Sequence, residues 1–180
     1  MEFHYQEPFP ILKDETQYKK LSSEYVKTEL LGDREILTID PRALELLAEN
    51  ALADVSFMLR SSHLAKLRKI IDDPEATDND RFVAYNLLQN AAVAVEGALP
   101  SCQDTGTAIC VAKKGENVFT GVEDAAWISK GIYNTYQEKN LRYSQIVPLT
   151  MFDEKNSGSN LPAQIDIYAK KGNYYELETM

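Results

Sequence analysis

Asp40-Pro41 places the firmest constraint on how this chain can fold. An aspartate able to accept from the first unpaired amides, followed by a proline whose φ suits the first helical position, dictates a helix start. From there Leu44, Leu47, Ala51, Val55 and Met58 recur at helical spacing. Ser61 or Ser62 is the expected cap of a second helix carrying Leu64, Leu67 and Ile71 and ending before Asp73-Pro74. A third helix is predicted from near Asp78 or Asn79, with Phe82, Leu87, Ala91 and Val95 along it and Gly97 at its end.

Strands are predicted on either side of these helices. Tyr25 to Leu31 and Glu35 to Ile39 flank Gly32-Asp33 and read as a hairpin, preceded by an extended arm over residues 1 to 20. After Gly106, the apolar run Thr107 to Lys113 reads as a buried strand, with a turn at Gly115-Glu116. A fourth helix is expected from about Glu123 to Lys139, with Trp127, Ile128 and Ile132 in the core. Asn156 to Asn160 reads as a loop, and Gln164 to Lys170 with Tyr174 to Glu178 as a second hairpin around Lys171-Gly172-Asn173. The expected fold is one α+β domain over residues 1 to 180, helix-rich in its N-terminal half, with a mixed or antiparallel sheet contributed mainly by the C-terminal half.

A formal charge of −9 argues against non-specific nucleic-acid binding and against an anionic membrane surface. The sequence has no apolar run near the roughly 20 residues of a membrane helix. The N-terminal residues lack signal-peptide character, and two cysteines make no disulfide framework, so the cytoplasm is the expected compartment. The strand-like run Tyr174 to Met180, with no closing helix, predicts a fragment or a subunit.

The segment between the third helix and the buried strand concentrates reactive groups. Ser101-Cys102-Gln103-Asp104-Thr105-Gly106-Thr107 places a thiol, an amide, a carboxylate and hydroxyls in one turn-rich loop. A thiolate there suits a soft metal or nucleophilic chemistry. These residues alone leave open a polar turn around a buried cysteine. Asp104-Thr105-Gly106 matches the aspartic-protease triplet but lacks the apolar strand that precedes it, and such a protease needs two of these aspartates sharing a proton, the second of which only a dimer could supply. The phosphorylated loop of ion-pumping ATPases needs a lysine after the aspartate, and Thr105 stands there. Cys110, inside Ile109-Cys-Val111, reads as a core residue.

Leu99-Pro-Ser-Cys-Gln-Asp-Thr-Gly-Thr-Ala108 resembles the first cluster-binding motif of class I iron–sulfur fumarases. Asn140-Leu-Arg-Tyr-Ser-Gln145 and Asn160-Leu-Pro-Ala-Gln-Ile-Asp-Ile-Tyr-Ala169 resemble two further segments of that family in the same order, and Gly131-Ile-Tyr-Asn-Thr-Tyr136 fits between them. The α subunits of L-tartrate dehydratases are similar in the cysteine motif.

The resemblance implies a hydro-lyase of the tricarboxylic acid cycle that interconverts fumarate and (S)-malate on a [4Fe–4S] cluster held by three cysteines. Cys102 matches the first ligand. Gln103 and Asp104 match substrate-contacting positions, Asp104 being the acid–base candidate, and Arg142 matches a substrate-binding arginine whose planar fork suits a carboxylate. The Asn160 to Gln164 segment supports the site or sets a tight turn. This chain departs from the family in having only Cys110 besides Cys102, and in lacking the family's glycine-rich segment and C-terminal domain. It is therefore expected to be a truncated N-terminal, cluster-binding domain, inactive and without cluster by itself, whose partners are the rest of the enzyme and a second copy in a homodimer. Alternatives are a tartrate dehydratase α-subunit fragment and a non-catalytic module that keeps the fold.

Overall fold

The computed structural model describes residues 2–8, 10, 17–102 and 106–180. The first hairpin forms as expected. β1 (Val26–Leu31) and β2 (Arg34–Ile39) pair antiparallel with Leu31 opposite Arg34. Gly32 takes φ 63°, as the first position of a primed turn demands.

α1 (Pro41–Phe57) starts where the sequence says it must. The Asp40 carboxylate accepts from the Arg42 backbone N–H at 3.0 Å, and Arg42 reaches back to it through Nε at 3.0 Å and Nη2 at 2.7 Å. The side-chain hydrogen bond from Arg42 holds the Asp40 carboxyl down at about 2. A depressed carboxyl stabilises the fold above its unfolded value of about 4 and loses that contribution as pH falls toward 2. Asp40→Ala is thus expected to melt below the parent at pH 7, with the gap closing between pH 4 and pH 2 in thermal melts. A gap that persists at pH 2 would assign the effect to something other than the ionised cap.

α2 (Ser61–Asp72) begins one residue earlier than the serines suggest. Arg60 is the N-cap and makes no side-chain capping bond, while Ser61 and Ser62 lie within the first turn. The extended residues Met58 and Arg60 turn the chain out of α1 and leave the serines already helical. α3 (Asp78–Ala94) is capped by Thr77 through a reciprocal box: Thr77 Oγ1 accepts from Asp80 N–H at 3.2 Å and Thr77 N–H donates to Asp80 Oδ2 at 2.9 Å. α2 and α3 pack mainly on each other. The large apolar residues expected in the core are consequently not there: Phe82 and Leu87 of α3 and Val95 at its C-cap are exposed, and only the small Ala84 and Ala94 are buried.

β3 (Ile109–Gly115) organises the C-terminal half. It pairs parallel with β7 (Gln164–Lys170) and antiparallel with β8 (Tyr175–Thr179), so the expected β7–β8 hairpin is split by a central strand. The reason is β3 itself: a strand buried along its length must satisfy its backbone groups on both edges. The β7–β8 connection crosses the end of β3, where Gly115 N–H donates to Tyr174 O at 2.9 Å and Glu116 N–H to Lys170 O at 2.8 Å. A side chain at Gly115 would collide with the Gly172 carbonyl. β4 (Val118–Phe119) joins β2 in parallel, completing a second three-stranded sheet.

α4 (Asp124–Glu138) packs against α1. The core between these helices and the β3 sheet contains Leu44, Ala48, Leu52 and Phe57 from α1, Ile128, Ile132 and Tyr136 from α4, and Ala108 and Cys110. Trp127 is partly buried against it. On the opposite face, the N-terminal arm is tied down by Glu7, which pairs with Lys113 at 3.9 Å and with Lys170. β5 (Ile146–Pro148) and β6 (Glu154–Asn156) form a small separate hairpin. The α+β reading holds, with mixed sheets built chiefly by the C-terminal half. Among the described residues no helix is long and apolar enough to cross a membrane.

Candidate functional site

The loop after α3 is clamped at both ends. On the upstream side, the Ser56 carbonyl in the last turn of α1 accepts from Ser101 N–H at 2.9 Å and from Ser101 Oγ at 3.0 Å. Carbonyls in a last helical turn lack partners within the helix, and Ser101 supplies two donors to this one. Asn90 of α3 donates through Nδ2 to Ser101 O at 2.6 Å. Cys102 is therefore presented directly after a residue fixed to two helices.

Cys102 is exposed, which sets aside the buried-cysteine alternative. It stands at a cleft of about 140 Å³ lined also by Leu52, Val55, Ser56, Pro100, Ser101, Ala108, Tyr136 and Met180. Gln103 and Asp104, the two other candidates in this loop, lie outside the described residues. Cys110 is completely buried, as expected, and burial pushes its thiol up to about 11.

Downstream, the loop is tied to the two other motif segments. α4 ends at Glu138 with Lys139 as its C-cap, and Asn140 takes φ 50°, the left-handed conformation that asparagine tolerates after a helix. Leu141 then turns into the core while Arg142 is exposed. Tyr143 stacks on Tyr136 with ring centroids 6.3 Å apart. Ser144 Oγ donates to Gly106 O at 3.3 Å, and Thr107 Oγ1 donates to Gln145 Oε1 at 2.6 Å.

Asn160 closes the knot. It is fully buried, with φ 55°. Its Oδ1 accepts from Ser144 N–H and Gln145 N–H, each at 2.8 Å, and its Nδ2 donates to Gly106 O at 2.9 Å. The three segments singled out from the sequence thus meet at one point, and the segment of Cys102 is joined there to that of Arg142. The supporting residues Ser56, Asn90 and Tyr136 are not legible as site residues, because their roles rest on a carbonyl, an amide tether and a ring stack. A signal for Asn160 did exist in its position beside Ser157-Gly158-Ser159, a turn-rich run that favours left-handed backbone.

The donor set fits one corner of a metal cluster. Among the described residues no group of three His, Cys, Asp or Glu side chains is placed to hold a metal ion. Cys102 offers an exposed soft donor, while Cys110 faces the core with its proton tightly held. Further thiolates would have to come from outside this chain.

A family model, fumarate hydratase (Fumerase), matches residues 45–180. The chain is 53% identical over 174 residues to the aerobic class I fumarate hydratase of Escherichia coli strain K12, covering 97% of this chain and 32% of that protein. Identity to the anaerobic class I fumarate hydratase of the same strain is 52% over 174 residues, with the same coverage. Fumarate hydratase 1, mitochondrial, of Leishmania major is 53% identical over 163 residues, 89% of this chain and 30% of that protein. The chain spans about a third of the length of these curated relatives.

Proposed function

The chain belongs to the fumarate hydratase (Fumerase) family, and from that premise we propose that its 180 residues act as the N-terminal, cluster-binding part of a cytoplasmic iron–sulfur hydro-lyase that interconverts fumarate and (S)-malate. Cys102 is its ligand to a [4Fe–4S] cluster whose other ligands lie in the remainder of the enzyme, and the complete protein works as a homodimer. When bound, such a cluster supplies a Lewis-acidic iron at the hydroxyl and carboxylate of malate.

This chain's own residues have the remaining tasks. Arg142 offers two parallel N–H donors to a substrate carboxylate. Asp104 exchanges the proton at the hydroxyl, and Gln103 orients the substrate beside it. The observation that carries this reading is the Gly106–Asn160–Ser144 connection, which joins the loop of an exposed thiol to the segment of an exposed guanidinium.

The test is a chimera in which these residues replace the matching part of the Escherichia coli aerobic enzyme. After anaerobic loading with iron and sulfide it is expected to hydrate fumarate, followed by loss of fumarate absorbance. The 180-residue chain treated identically is expected to bind less than one cluster and to turn nothing over. A folded, iron-loaded chimera that leaves fumarate untouched, or cluster and turnover from the short chain alone, overturns the proposal.

A further inference from the structure

Asn160 stands at a left-handed backbone position, which alone would explain an asparagine there. Its side chain does more. A fully buried carboxamide meets three backbone groups in two other segments, with both Oδ1 lone pairs used by the amides of Ser144 and Gln145 and one Nδ2 proton used by the Gly106 carbonyl. The two incoming N–H groups fix which end is oxygen, and the carbonyl fixes which end is nitrogen.

We propose that Asn160 is a positioning residue: its carboxamide locks the loop of Cys102 to the segment of Arg142, so that the cluster ligand and the substrate-binding guanidinium are held in a fixed relation. This rests on the hydro-lyase reading for its consequence in turnover, but not for the lock itself. Ser144 Oγ to Gly106 O and Thr107 Oγ1 to Gln145 Oε1 brace the same junction from its exposed side. Asn160 is the member that reaches it from a fully buried position, where a polar group left without a partner is costly.

Two substitutions separate the side chain from the backbone. Asn160→Gly accepts φ 55° without strain and removes all three hydrogen bonds. Asn160→Asp keeps two acceptor bonds, loses the donor to Gly106 O and sets a negative charge against that carbonyl. In amide hydrogen exchange on the 180-residue chain, Asn160→Gly should speed Ser144 and Gln145 by roughly tenfold or more. Val111 and Ala112 in β3 should stay at the parental rate, and Cys110 should remain closed to alkylation. Asn160→Asp should leave Ser144 and Gln145 protected. In the chimera, both variants should lower kcat by about 100-fold with KM within a few-fold, the signature of misplaced groups.

Parental exchange at Ser144 and Gln145 in Asn160→Gly, with parental kcat, would reduce Asn160 to a turn residue and overturn the proposal. So would acceleration of the β3 amides together with opening of Cys110, which marks a general loss of structure. An inactive parent chimera refutes the hydro-lyase reading, and the exchange result then still decides whether the lock exists.

Discussion

Cys102→Ser in the chimeric enzyme is expected to lower turnover by at least about 1000-fold while leaving the melting temperature of the cluster-free protein unchanged. Serine has nearly the size of cysteine but presents a hard hydroxyl that keeps its proton at neutral pH, so it fails as a soft ligand. Losing one corner of a three-thiolate set removes a Lewis acid worth several kcal/mol, and about 1.4 kcal/mol is a factor of ten in rate. Stability should not follow, because Cys102 is exposed and its loop is held by Ser101 and Gly106 rather than by the thiol. Cys110→Ser is the contrasting change. It puts a hydroxyl among Leu44, Ile128 and Ile132 and should cost about 1–3 kcal/mol of stability. Iron content, turnover and thermal melts measured on both variants check this, and full iron and turnover in Cys102→Ser would remove the ligand assignment.

Elements with their own local chemistry were readable in the sequence, and elements defined by distant partners were not. Asp40-Pro41 starts α1 and Gly32-Asp33 turns the first hairpin because cap and turn residues act within a few positions. The second hairpin misled because Lys171 to Tyr174 carries turn signals whichever strands it joins; only the two-sided burial of β3 decides that it crosses that strand. β5 and β6 carry no strand signal of their own because each is three residues long and mostly exposed, with no alternating pattern. Their signal lies in the turn, where Thr150 Oγ1 accepts from Phe152 N–H at 3.2 Å and Asp153 N–H at 3.1 Å. The same distinction applies at the site. The motifs point to Cys102 and Arg142, whereas the contacts that join their segments pair the Asn160 side chain with backbone amides and a carbonyl whose meeting no local pattern announces.

Gly131→Ala is expected to destabilise the chain by about 2 kcal/mol, against the ordinary preference. In a helix interior, alanine normally gains about 1 kcal/mol over glycine. At this point of α4, however, a Cβ would overlap the Glu45 carbonyl and lie 2.8 Å from Ala48 Cβ and 3.1 Å from Glu49 N. The obstacle is the backbone of α1, which cannot retreat alone: Ala48, Ile128 and Ile132 are completely buried around it. One turn further on, Thr135 Oγ1 donates to Glu49 O at 3.2 Å, and next to the glycine Lys130 Nζ meets Glu45 Oε2 at 2.9 Å. Overpacking of this kind costs about 1–3 kcal/mol and occasionally more, enough to outweigh the helix gain. For a chain of this size the melting temperature should fall by roughly 4–8 °C. Adding Ala48→Gly removes one of the three close neighbours but not the Glu45 carbonyl, so the double variant should recover part of the loss relative to additivity. The consequence reaches the site, because the end of α1 holds Ser101 through Ser56 and the end of α4 leads into Arg142. A Gly131→Ala chain as stable as its parent would show that the spacing of these two helices, and with it the separation of the two site segments, is not set by backbone contact at Gly131.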